Sequence, residues 1–192
     1  MILYLHGFRS SPQSFKARLL AERMAAQGRV HEFACPQLPP EPRAAIKLAG
    51  EIARSVVPSA LTLVGSSLGG YYATWLAEKI GCRAVLLNPA LRAFEKLAVQ
   101  VGPQTAYHEG GAPFEFKPEY LDQLRDMQVP AITGPERYFL IAATGDELLD
   151  WREMAAAFPG SRHKIIQGSD HGLSDFSGYM QEVLDFALPL KT

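Results

Sequence analysis

The chain has 192 residues, a length that suits one domain built around a single core. Lysine and arginine number 19 against 20 acidic residues, a net charge of −1, so there is no basic field to draw nucleic acid or an anionic membrane surface. With 47% hydrophobic and 20% charged residues the composition is that of a globular domain. The two cysteines, Cys35 and Cys82, fit neither a disulfide framework nor a CxxC redox or zinc pattern. They read as buried or inert thiols of a reducing compartment. No charged leader precedes the first apolar run, and no run approaches the ~18 residues of a membrane span. The expectation is a cytoplasmic protein with no membrane partner, its oligomeric state open.

In chain order, Ile2–Leu5 (ILYL) is apolar without alternation, as in a strand covered on both faces. His6-Gly7-Phe8 and a loop follow. Ser11-Pro12 has the form of a helix cap followed by a first helical residue, opening a helix that ends near Gly28. Residues 30–34 read as a second strand, broken by Pro36, Pro39 and Pro40. Residues 41–57 read as helix, 60–64 as a third strand, and 71–80 as a helix ended by Gly81. Arg83–Leu87 is the fourth strand and 137–143 the fifth. A helix over 149–158, a sixth strand over 163–166 and a helix over 176–188 close the chain. Strands alternating with helices predict a doubly wound, mainly parallel six-stranded α/β sheet with helices on both faces. Residues 88–136 are longer than a connection requires and carry Phe94, Tyr107, Phe114, Phe116 and Tyr120 around one helical pattern at 118–127. They read as a small lid-like insertion within one domain spanning 1–192.

The third strand runs into GSSLGG. A serine hydroxyl becomes a nucleophile only when it is exposed, next to a base and near an anion site. The G-x-S-x-G elbow supplies exposure through a turn so tight that the positions two before and two after the serine must be small. For Ser67 these are Gly65 and Gly69; for Ser66 they are Val64 and Leu68. Ser67 therefore passes, and Ser66 reads as packing or as a support behind the site. The bare pattern is weak. A buried strand before it and a helix after it make it specific. A phosphate cradle is disfavoured because the chain has neither GxxxxGK[ST] nor GxGxxG.

Hydrolases with this elbow place their acid and then their histidine after the serine. His108, His163 and His171 follow Ser67. His108 falls in the insertion and His163 within a strand, whereas His171 sits in a loop just past the sixth strand, where catalytic groups of α/β sheets gather. Asp146, first past the turn glycine after the fifth strand, is the candidate acid, with Glu147 and Asp150 as fallbacks. Asp170 and Asp175 match no metal-ligand spacing, and no metal or cofactor is expected. The oxyanion donors would be the backbone N–H groups of Leu68, next after the nucleophile, and Phe8, in the loop after the first strand. His6 reads as a structural prop of that loop. Arg9 is a solvated arginine or a contact for an anionic substrate group.

MILYLHGFRSSPQSFKA, PQLPP, GSSLGGYYATWLA, NPA, TGDELLD and the late DH together resemble the YqiA-like esterases, small members of the α/β-hydrolase superfamily. The matches span nearly the whole chain. The resemblance implies an intracellular esterase or thioesterase with the triad Ser67, Asp146 and His171. Such an enzyme would pass through an acyl-enzyme on a small-molecule ester or thioester, and its rate would fall as pH drops through about 6–7, where the histidine base charges. A hydrolase-fold protein that binds a ligand without turnover is the alternative from a different class.

Overall fold

Strand β1 (Ile2–Leu5) is unbrokenly apolar because it lies inside a sheet covered on both sides. Ile2 and Tyr4 face one layer, Leu3 and Leu5 the other. The chain continues through α1 (Phe15–Ala26), β2 (Phe33–Ala34), α2 (Pro42–Arg54), β3 (Thr62–Ser66), α3 (Leu68–Ile80) and β4 (Arg83–Leu87). Then come α4 (Ala93–Lys96), a hairpin of β5 (Gly102–Gln104) and β6 (Phe114–Phe116), and α5 (Glu119–Asp126). The chain ends with β7 (Tyr138–Ala143), α6 (Trp151–Ala157), β8 (Arg162–Ile166) and α7 (Met180–Ala187). The structure, a computed structural model, describes residues 1–106 and 111–188. Tyr107 and His108 lie outside the described residues.

Among the described residues six strands form one sheet in the order β2-β1-β3-β4-β7-β8, every pair parallel. The chain steps from β1 outward to β2 and then crosses back to β3 on the other side of β1. The winding direction thus reverses between β1 and β3, and in such sheets the crevice beyond the carboxyl ends at that point is where ligands bind. His6-Gly7 and Ser66-Ser67 end those two strands.

One layer packs α2, α3, α5 and α6 on the sheet through Ala45, Ala49, Tyr72, Leu76, Leu124 and Met154; the other packs α1 and α7 through Leu20, Met24, Val183 and Leu184. Burial pushes the Cys35 thiol up to about 12 and Cys82 to about 11, which leaves both as unreactive thiols. No helix among the described residues is long and apolar enough to cross a membrane.

Local signals differ from the structure in several places. Ser11 does not cap α1: its Oγ accepts from the Gln13 N–H at 3.1 Å in a separate turn, and the helix starts at Phe15. Residues 30–32 form a 3-10 turn rather than strand, because Val30 points to solvent at 55% exposure and only Phe33 and Ala34 pair with β1. Helix α3 begins at Leu68, before its two poor helix formers Gly69 and Gly70. The closing helix is interrupted, with a 3-10 turn at Phe176–Gly178 ahead of α7.

A polar latch ties α3 to the start of β7. Glu78 accepts from the Thr133 N–H at 3.0 Å, Thr133 Oγ1 at 2.6 Å, Arg137 Nη2 at 3.2 Å and the Tyr138 hydroxyl. Burial opposes ionisation of Glu78, but these hydrogen bonds and the Arg137 charge outweigh it and hold the carboxyl below its ordinary range. Glu78→Ala should lower stability by roughly 2–3 kcal/mol at neutral pH, read from urea unfolding. A lowered carboxyl contributes stability that is lost as pH falls through its folded value, so the gap to wild type should narrow in acid.

Candidate active site

Ser67 joins β3 to α3 in a conformation that L-residues rarely adopt, φ 55° and ψ −119°. Such strain costs about 1–3 kcal/mol and persists only where the surroundings enforce it. Here they do. The Ser67 N–H donates to the Leu87 carbonyl at 3.1 Å, and its own carbonyl accepts from Gly70 and Ala90. A Cβ at Gly65 would stand 2.3 Å from the Gly69 carbonyl oxygen, and one at Gly70 would stand 2.7 Å from Pro89 Cβ. The small residues around Ser67 therefore let α3 start directly against the sheet.

The Ser67 hydroxyl lies 3.0 Å from His171 Nε2, and His171 Nδ1 lies 2.8 Å from Asp146 Oδ2. The Asp146 side chain is fully buried while the imidazole remains 18% exposed. The other Asp146 oxygen accepts the N–H groups of Leu148 and Leu149, both at 2.9 Å. The carboxylate is thus fixed from behind and aimed at one ring nitrogen. Donation from Nδ1 to Asp146 leaves Nε2 as an acceptor towards Ser67. Gly145 allows this closeness: a Cβ there would sit 2.4 Å from the Ser169 carbonyl oxygen, in the loop that carries His171.

Asn88, at the end of β4, was not singled out as a functional residue by the sequence. It is fully buried at φ 43°. Its Nδ2 donates to the carbonyls of Asp170 and His171 at 3.0 and 3.1 Å, and its Oδ1 accepts from the Ala143 N–H at 2.8 Å. One amide therefore holds the acid-bearing strand end and the histidine loop together. Asn88→Ala strands three polar groups, the buried Ala143 N–H and two half-buried carbonyls, and should cost roughly 3 kcal/mol in urea unfolding.

The β1 loop closes over the other side of Ser67. A Cβ at Gly7 would stand 3.3 Å from the Ser66 carbonyl oxygen and from Ser67 Cβ. His6 holds the loop, its Nδ1 3.0 Å from the Gly7 carbonyl and its Nε2 accepting the Leu38 N–H at 3.0 Å. Phe8 is pinned edge-on by Phe114 and Phe116 of the hairpin. Leu68, the first residue of α3, has no intrahelical acceptor for its N–H. Ser67, His171, Phe8 and Leu68 line one cavity of about 610 Å³.

The uncharacterised protein family UPF0227 matches residues 1–188. The chain belongs to that family. Among solved structures, this UPF0227 chain is similar to one from a study of the metagenome-derived lipolytic enzymes LipS and LipT, with TM-score 0.70 and 20% identity over 97% of this chain and 92% of the other. It is also similar to mouse alpha/beta hydrolase domain-containing protein 10, with TM-score 0.68 and 16% identity over 96% and 89% of the two chains. Est1E from Butyrivibrio proteoclasticus, solved with ferulic acid bound, gives TM-score 0.64 and 14% identity over 95% and 85%. The UPF0227 chain has the α/β-hydrolase fold.

The remaining candidates have other partners. Glu147 accepts the backbone N–H of His171 at 2.9 Å, and Asp150 caps α6 through Arg152 N–H at 2.8 Å. His163 lies 2.8 Å from the Phe158 carbonyl. Arg9 reaches the insertion at Thr105, with Nη2 3.0 Å from Oγ1. Among the described residues of this UPF0227 chain no group of three or more His, Cys, Asp or Glu could hold a metal ion.

Proposed function

We propose that the protein is a serine hydrolase that cleaves carboxylic esters through Ser67, His171 and Asp146. The observation that carries this reading is the unbroken hydrogen-bonded line from a strained serine, through an imidazole, to a fully buried carboxylate, opening on a 610 Å³ cavity. The neighbour from the lipolytic-enzyme study and Est1E, solved with ferulic acid bound, support the same chemistry.

His171 takes the Ser67 proton as Oγ attacks the acyl carbon, and Asp146 steadies the imidazolium that results. The carbonyl electron pair moves onto oxygen, where the N–H groups of Phe8 and Leu68 stabilise it. Collapse expels the alcohol, which takes the proton from His171 and leaves an acyl-serine. Water, deprotonated by His171, then repeats the attack and frees the acid. A thioester passes through the same steps. The insertion, residues 88–136 of the one domain, acts as a lid: Leu97, Val99 and Gln100 line the cavity.

Labelling with a fluorophosphonate tests the reading without a known substrate. The adduct should map to Ser67 by peptide mass and vanish in Ser67→Ala. A protein that turns over neither short esters nor thioesters and takes no label would leave the fold as a ligand-binding scaffold.

A further inference from the structure

The cavity beside Ser67 has two kinds of wall. Its rim is apolar, with Phe15, Val99 and Leu148 exposed and Leu97 and Leu149 behind them. Among the polar residues that line it and that the hydrolytic steps leave unused are Tyr4, Ser14, Lys16 and Ser66. Tyr4 and Ser66 come from β1 and β3, Ser14 and Lys16 from the start of α1. Lys16 is only 8% exposed, Ser66 8% and Tyr4 1%.

Lys16 donates to the carbonyl of Gly172, the residue after His171. An ammonium has three donors, so this interaction leaves two over. No carboxylate among the described residues is ion-paired with Lys16; Asp170 and Asp146 reach it only through their fields. Asp146 is committed to His171, and Asp170 Oδ1 accepts the Ser174 N–H at 3.0 Å. Burial pushes the Lys16 ammonium down to about 8 against those two charges, so it stays a cation at neutral pH. The buried Ser14 hydroxyl has the Tyr4 hydroxyl as its polar neighbour and no other partner among the described residues. The Tyr4 hydroxyl is beside Ser66 and Ser14.

We infer that Lys16, Tyr4, Ser14 and Ser66 form a binding subsite for the far end of the acyl group, and that the acyl group this site takes ends in a carboxylate. The substrate class is then a monoester or monothioester of a short dicarboxylic acid. The inference rests on Ser67 being the nucleophile. A carboxylate only accepts hydrogen bonds, which matches one ammonium and three hydroxyls, and its charge compensates a buried cation that lacks a counter-ion. The chain is short because Lys16 is held one residue from His171, whose Nε2 is 3.0 Å from Ser67 Oγ.

The test compares monoethyl glutarate with ethyl valerate, the same carbon chain without the second carboxylate. Wild type should favour the glutarate ester by roughly 10- to 100-fold in kcat/KM, and Lys16→Met should erase most of that ratio. Ser14→Ala, which leaves the Gly172 contact intact, should cut the ratio by a smaller factor. Equal wild-type rates on the two esters, or equal losses on both in Lys16→Met and Ser14→Ala, would overturn the subsite and leave Lys16 as a prop of the His171 loop. Calorimetric titration of Ser67→Ala with free glutarate and free valerate separates the two readings. Tighter glutarate binding in a protein that hydrolyses neither ester would retain the subsite and discard the esterase; equal affinities would discard the subsite whatever the turnover.

Discussion

Ser67→Ala is expected to lower ester hydrolysis by about 10⁴-fold or more without lowering the unfolding midpoint. The substitution removes the one oxygen that His171 Nε2 faces at 3.0 Å and keeps the Cβ that already fits the elbow at φ 55°. The backbone strain is unchanged, so stability should be as well. The residual rate would come from the cavity and the Phe8 and Leu68 N–H groups, which survive the change. Ser66→Ala is the control. Its hydroxyl lines the same cavity beside Tyr4, so an adjacent-serine assay separates the two. On an ester without a second carboxylate, such as ethyl valerate, less than about a tenfold loss is expected there, because no interaction with His171 is removed. Full activity in Ser67→Ala, or collapse of activity in Ser66→Ala alone, would remove Ser67 from the mechanism.

That Ser67 rather than Ser66 faces His171 was legible because the elbow is a local steric rule, decided by four neighbouring residues. Strand β4 was legible to its boundaries for a similar reason: RAVLL is uniformly apolar after its first residue and ends at Asn88-Pro89. Asp146 and His171 could be chosen because chain order and strand ends carry the information. Asn88 could not be found this way. Its three partners come from two other strand ends, and their convergence exists only in the assembled sheet. Lys16 was equally silent, since a lysine in an early helical turn reads as solvated until α1 is laid against the His171 loop. The hairpin was missed because three-residue strands are too short to show a period, and β5 contains a proline. The start of α3 was missed because Gly69-Gly70 disfavours helix locally, and tertiary contact overrides that preference.

That contact yields the largest stability effect expected in the molecule. A Cβ at Gly69 would stand 1.8 Å from the Leu5 carbonyl oxygen, 2.5 Å from its carbon and 2.8 Å from the His6 carbonyl oxygen. All three atoms are backbone, so no side chain can swing aside. Leu5 pairs with Gly65 in the centre of the sheet, and Gly65 in turn has no room for a Cβ against Gly69. To admit a methyl group, α3 must lift from β1, which would pull Leu68 away from the Gly7-Phe8 loop and open the packing of Tyr72, Ala73 and Leu76. Gly69→Ala should therefore cost more than about 4 kcal/mol or prevent folding altogether, a size reserved for backbone clashes and buried defects. Gly178→Ala is the matched control, with nothing within 4 Å of its Cβ and no positive φ, and should change stability by less than about 1 kcal/mol. Expression yield and urea midpoints of the two variants decide the matter. A Gly69→Ala protein with the wild-type midpoint would mean that α3 can stand off from the sheet, and the small-residue rule would no longer explain how Ser67 is presented to His171.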